Sequence, residues 1–155
     1  MQRLEGERRE RTTVDHVTDS LLVGDADDAS DHAALRAEGV TAVLSLTHDS
    51  PARPATGYAV LDRPLIDGPR HDAADFATAV DDLRSLLAEG ERVLVHCSAG
   101  ASRSVAVAAA ALALVDGVES ATALERVSTT RGVSGPHPAL ADRVRQYVAS
   151  ERVSG

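Results

Sequence analysis

Cys97 is the only cysteine in the chain. It ends the apolar run that starts at Val93 and stands directly before Ser98, Ala99, Gly100, Ala101 and Ser102; Arg103 and Ser104 then open a long apolar helical run. That order spells strand, tight loop and helix start. Backbone N–H groups in such a loop and in the first helical turn have no intrahelical partners, and the helix dipole adds positive potential there. The stretch is therefore a cradle for a phosphate-sized oxyanion, with a nucleophile at the strand end.

Each residue type suits that chemistry. A cysteine attacks as the thiolate, and an ordinary thiol titrates near about 8.5. Loop amides, the helix N-terminus and the Arg103 guanidinium all favour the anion, so a depressed Cys97 pKa is expected. The planar fork of Arg103 grips two oxygens of a phosphoryl group and neutralises charge as that group is transferred. Gly100 lets the loop bend so that successive amides point inward, and Ala99 and Ala101 keep the rim clear. A hydrogen bond from Ser104 makes sulfur a better leaving group. His96 precedes Cys97 in the strand and so points to the opposite face. With no second cysteine, and with His32, His48, His71 and His137 lacking ligand spacing, no metal or other cofactor is expected. On these residues alone, phosphoryl transfer, sulfur transfer and simple anion binding all remain compatible.

The elements that must position this loop follow from periodicity. Val14–Val17 and Leu21–Val23 flank the turn-like Thr18-Asp19-Ser20 as a short hairpin. Asp27, Asp28 or Ser30 caps a helix running to Glu38, with Gly39 as its stop. Strands are expected over Val40–Leu46, roughly Tyr58–Ile66 and Val93–His96, with a Pro- and Gly-rich loop over Thr47–Gly57. Asp72 caps a helix that carries Phe76, Val80, Leu83, Leu86 and Leu87 as far as Gly90. Helices follow over about Arg103–Val115, apolar all round and hence buried, over Glu119–Thr130, and over a last segment carrying Leu140, Val144, Tyr147 and Val148. The expected class is α/β: a small central, mostly parallel sheet of about four to five strands flanked by helices, with the site beyond the carboxyl end of a central strand. Residues 1–12 form a charged, flexible arm, and 13–152 a single domain.

Composition narrows the partners. The formal net charge is −8 and the pI about 5.1, which argues against a nucleic-acid binder. All 16 of the Lys and Arg residues are Arg, and Asp outnumbers Glu. A salt-adapted setting or a GC-rich genome each explains that balance. One cysteine forms no internal disulfide, the charged N-terminus lacks a signal-peptide core, and Val105–Val115 is too short to span a bilayer; the expectation is a cytoplasmic protein without a membrane partner.

The stretch HCSAGASRS resembles the His-Cys, five residues, Arg-Ser signature of the cysteine-dependent protein tyrosine phosphatases, and AGASRS is similar to the dual-specificity branch. VTDSLLVGDADDA with GVTAVLSLT resembles the opening segment of that branch, PLIDGPRHD its general-acid loop, and RGVSGPHPAL its late loop and final helix. The resemblance covers roughly Val14 to Tyr147. It implies a protein tyrosine phosphatase-like fold and a metal-free, two-step hydrolysis of phosphate monoesters through a phosphocysteine at Cys97.

The family places its general acid some thirty residues before the cysteine. Asp67 sits there, in a Gly-Pro segment, with Asp72 as the rival. The family reading gives His96 the task of ordering the loop. Pro136 is followed by His137 where the branch commonly has asparagine, and Thr47–Gly57 has no tyrosine to wall a deep slot, which implies a shallow pocket. The implied partner is a protein phosphorylated on tyrosine, serine or threonine. Three alternatives stand beside it: the same chemistry on a phosphoinositide, nucleotide or RNA 5′ phosphate, sulfur transfer of the rhodanese type, and an inactive phospho-binding module.

Overall fold

Three apolar runs, β2 (Leu21–Gly24), β3 (Ala42–Ser45) and β5 (Val93–His96), are buried at every residue and lie side by side as parallel strands. Burial on both faces explains why they read as continuous Val/Leu stretches with no polar alternation. β1 (Asp15–His16) joins β2 antiparallel, and β4 (Ala59–Asp62) joins β3 parallel, giving the five-stranded order β1-β2-β5-β3-β4. The expected α/β class and mostly parallel sheet are both found. The computed structural model describes residues 14–48 and 58–154, so the arm expected over 1–12 and most of the loop Thr47–Gly57 lie outside the described residues.

Strand alternation divides the interior. Leu21, Val23, Ala42, Leu44, Val93, Val95 and Cys97 face one large core, and Leu22, Val43 and Leu94 face a smaller one with Ala29, Leu35 and Val40. The larger core is covered by α3 (Ala73–Ala88), α4 (Arg103–Asp116), α5 (Ser120–Arg131) and α6 (Pro138–Ser154). α4 is its centre. Every residue from Ser104 to Ala113 is buried, and the run of alanines lets α3, α5 and α6 close around it.

Two expectations are corrected. The helix expected from the Asp27 region to Glu38 is two short helices, α1 (Ala26–Ser30) and α2 (His32–Ala37). Asp25 caps the first in a reciprocal pair with Asp28, and Asp31, outside helical geometry at φ −92°, ψ 80°, caps the second. The strand expected to reach Ile66 stops at Asp62. Pro64 has no N–H to continue a ladder, and the chain crosses the end of β3, where Arg63 N donates to Ser45 O at 2.8 Å and Leu65 N to Leu46 O at 3.0 Å. That crossing delivers Asp67 to the carboxyl end of the sheet.

Candidate active site

β5 ends at His96, and Cys97 begins a loop that closes on the first turn of α4. Cys97 is buried, with Ser104 Oγ 3.2 Å from Sγ and the Ser104 amide donating to sulfur at 3.5 Å. Burial alone pushes the thiol pKa up. The Ser104 hydroxyl and amide, the Gly100 amide and the Arg103 charge outweigh it, and the thiol lies below its ordinary value, in the direction expected from sequence.

Arg103 is the first residue of α4 and turns back across the loop. Its Nη1 donates to Leu65 O at 3.0 Å and its Nη2 to Ser98 Oγ at 3.2 Å, while Nε is buried without a partner among the described residues. A guanidinium so fixed is preorganised for an oxyanion, and the orphaned Nε–H is a donor that such a ligand satisfies. Ser98 and Ala99 are exposed on the rim; Ala101 is half-buried beside Gly100. Gly100 has φ +68°, and a Cβ there would lie 2.7 Å from Gly24 O, so both conformation and space require glycine.

Ser102 occupies the N-cap position of α4 without capping it. Its hydroxyl instead donates to Asp67 Oδ1 at 2.8 Å and accepts from the His137 amide at 3.0 Å. The amides of the first turn are thereby left to an anion. Asp67 is exposed at the start of a 3-10 turn, Gly68–Arg70, over which the His137 imidazole packs. His137 Nδ1 also accepts from the Ala139 amide at 3.0 Å, so this side chain caps α6. Asp72, the rival acid, accepts from the Ala74 and Asp75 amides at 2.7 and 3.1 Å and serves as the N-cap of α3.

His96 is fully buried, and alternation places it on the α1–α2 side, away from the Cys97 side chain. Neither ring nitrogen reaches a partner at full hydrogen-bond geometry among the described residues, and burial, only partly offset by the Cys97 backbone beside the ring, holds its pKa below the ordinary imidazole value. Its tie to the sheet is main-chain: Leu46 N donates to His96 O at 3.0 Å.

Sequence reasoning missed three supports. Arg143 Nε donates to His71 Nε2 at 3.0 Å, and His71 Nδ1, 2.7 Å from Gly68 O, holds the turn that carries Asp67. Arg131, at the end of α5, donates from Nε to Gly100 O at 3.0 Å and from Nη1 to Asp15 and Val23 O. No local pattern marks Arg143 and Arg131, because the groups they hold here are distant in sequence. Among the described residues no group of three or more His, Cys, Asp or Glu side chains is arranged to hold a metal ion, and no helix is long and apolar enough to cross a membrane.

The family model described as the dual specificity phosphatase catalytic domain matches residues 21–150. Human dual specificity phosphatase 28 is 31% identical over 132 residues, covering 84% of this chain and 75% of the relative. Bovine dual specificity protein phosphatase 26 is 33% identical over 127 residues, covering 77% of this chain and 60% of the relative. The crystal structure of human DUSP28 superposes with a TM-score of 0.82 at 29% identity, over 92% of this chain and 99% of that one. That of a mouse putative dual specificity phosphatase complexed with zinc tungstate gives 0.84 at 25% identity, over 92% and 90% of the two chains.

Proposed function

This chain belongs to the dual-specificity phosphatase family, and from that membership we propose that Cys97, Arg103, Asp67 and Ser104 hydrolyse phosphate monoesters on tyrosine, serine and threonine side chains of proteins. The observation that carries the assignment is the convergence of the four groups: Cys97 against Ser104, Arg103 folded over Ser98, and Asp67 tethered to Ser102 of the same loop.

In the first step the Cys97 thiolate attacks phosphorus, the bond to the ester oxygen breaks, and that oxygen takes its proton from the Asp67 carboxyl. Arg103 and the loop amides carry the charge on the equatorial oxygens. In the second step water attacks phosphorus, Asp67 takes the water's proton, and the sulfur–phosphorus bond breaks to release inorganic phosphate. Ser104 then hydrogen-bonds the departing thiolate. Every atom and proton is accounted for without a cofactor.

Protein monoesters suit the surroundings better than polyanions do. Arg63 is paired with Asp82, and Arg53 lies outside the described residues. Among the described residues Arg70 is left as an exposed cation in the acid loop, a sparser patch than a phosphoinositide headgroup or an RNA triphosphate calls for. The exposed rim formed by Ser98, Ala99 and Ile66 supports access by phosphoserine and phosphothreonine as well as phosphotyrosine.

The deciding experiment is vanadate-sensitive hydrolysis of an aryl phosphate, abolished by Cys97→Ser, followed by phosphotyrosine, phosphoserine and phosphothreonine peptides beside phosphoinositides and RNA 5′ triphosphate. Activity confined to the last two moves the substrate class; a silent panel with intact fold makes the chain a binding module. A thiol nucleophile also suits a reducing cytoplasm, and the lysine-free acidic composition suits high salt. Melting in molar KCl tests the latter, a lowered Tm arguing against it.

A further inference from the structure

The least expected side chain in the molecule is Arg131. It is 7% exposed, and a guanidinium so far from water is costly unless its charge and its donors are met. Here they are met by three separate elements. Asp15 Oδ2 of β1 lies 3.0 Å from Nη1, Val23 O of β2 accepts from the same nitrogen at 3.2 Å, and Gly100 O of the phosphate loop accepts from Nε at 3.0 Å. Nη2 lies where a Cβ on Gly100 would come within 2.6 Å.

We infer that Arg131, anchored by Asp15, is a positioning residue for the phosphate loop, drawing the Gly100 carbonyl outward and so turning the following amide toward the phosphoryl oxygens. This rests on the phosphatase reading and deepens it. The described peptide bonds are all trans, and in a trans peptide the carbonyl and the next N–H point in opposite directions. Fixing Gly100 O against Arg131 therefore fixes Ala101 N–H toward the other side, into the loop. The same contact removes a carbonyl dipole that would face the anion if the peptide flipped. Gly100 permits that flip, since glycine alone crosses between the two backbone regions at low cost.

The Gly100 amide, in the neighbouring peptide that shares the Gly100 Cα, contributes to holding the Cys97 thiol down, so disorder at Gly100 reaches the nucleophile as well as the ligand. The other charged groups near the loop are Arg103 from α4, Asp67 by way of Ser102, and the pair of Asp25 and Asp28 at the start of α1, where the Ala26 amide donates to Ser98 O; none of them touches Arg131 through these bonds.

The test is the pH dependence of Cys97 alkylation by iodoacetamide, with and without inorganic phosphate as protectant, in the full chain and in Arg131→Met and Arg131→Lys, each checked for fold by circular dichroism. Alkylation at pH 6 should slow about tenfold in Arg131→Met, matching a rise of roughly one pH unit in the thiol midpoint, and phosphate protection should weaken. Arg131→Lys should fail to restore either property, because a point charge cannot hold Gly100 O, Val23 O and Asp15 together. An unchanged titration in a folded variant, full rescue by lysine, or loss of the fold in both variants overturns the proposal. None of these readouts needs turnover, so the phosphatase reading fails separately, on aryl phosphate hydrolysis by the unaltered chain.

Discussion

Asp67 accepts a hydrogen bond from Ser102 at 2.8 Å, which binds the acid-bearing turn to the loop that holds the nucleophile. Asp72, five positions on, spends its carboxylate on the amides of Ala74 and Asp75. The two carboxylates should separate by experiment. Asp67→Asn removes the proton donor, and turnover should fall by about a hundredfold with poor leaving groups while phosphate affinity holds. Asp72→Asn keeps a cap-competent side chain and should retain turnover, and Asp72→Ala should cost about 1 kcal/mol of stability. Steady-state kinetics on aryl and alkyl phosphates, set beside urea melts, decide the matter. Full turnover in Asp67→Asn would transfer the acid role.

Ser102 offers a subtler test. Its hydroxyl sits at the N-cap of α4 yet makes no cap hydrogen bond, and its two partners are Asp67 and the His137 amide. Ser102→Ala should therefore leave stability within about 0.5 kcal/mol, since no cap is lost, while freeing Asp67 from its tether. Turnover should drop several-fold, more with alkyl than with aryl esters, because only the former demand a well-placed acid. Equal losses on both would mean that Ser102 acts on the loop alone.

What was legible in the sequence was local. Cys97, Arg103 and Ser104 lie within one loop and one helical turn, so spacing alone places them together, and the apolar runs at Leu21, Val43 and Val93 declare a buried sheet. Asp67 was legible only through its place in an ordered set of motifs. The contacts that fix the site geometry join distant positions: Ser102 to Asp67, Arg131 to Gly100 and to Asp15, Arg143 to His71. An arginine in the last turn of a helix reads as a complement to the helix dipole, and nothing in its neighbours says that it turns inward. The break at Asp31 was hidden for another reason. DADDASD offers more capping residues than one helix needs, and two of them, Asp25 and Asp31, each start a helix.

Ser104 should show in the pH profile. The Cys97 thiol lies below its ordinary value against the effect of burial, with the Ser104 hydroxyl and amide the strongest opposing influences. Ser104→Ala keeps the amide and removes the hydroxyl. The acid limb of kcat/KM, which follows the free-enzyme thiol, should move to higher pH, and a phosphocysteine should accumulate as its breakdown slows. Burst kinetics on an aryl phosphate and iodoacetamide titration read the two effects separately. An unmoved limb would assign the depressed thiol to the amides and Arg103.

His96 makes a prediction about stability instead of rate. Burial holds its imidazole pKa below the ordinary value, so the folded chain keeps the ring neutral over a range in which the unfolded chain binds a proton. With more protons on the unfolded state, stability rises with pH from the depressed folded value up to about 6.5, and is lost as pH falls through that window. Cys97 adds a slope of the same sign at higher pH, from its own depressed value up to about 8.5. The two windows are distinguishable by substitution. His96→Asn should lower stability near neutrality, because a second buried polar group replaces the first, yet flatten the decline below about pH 6.5. Cys97→Ser should leave that decline intact and remove the gain that runs from the depressed thiol value up to about pH 8.5. Urea melts at half-unit pH steps measure both; an acid decline of unchanged steepness in His96→Asn would locate the acid-sensitive group elsewhere, and not at Asp25, whose pKa burial raises and whose contribution therefore has the opposite sign.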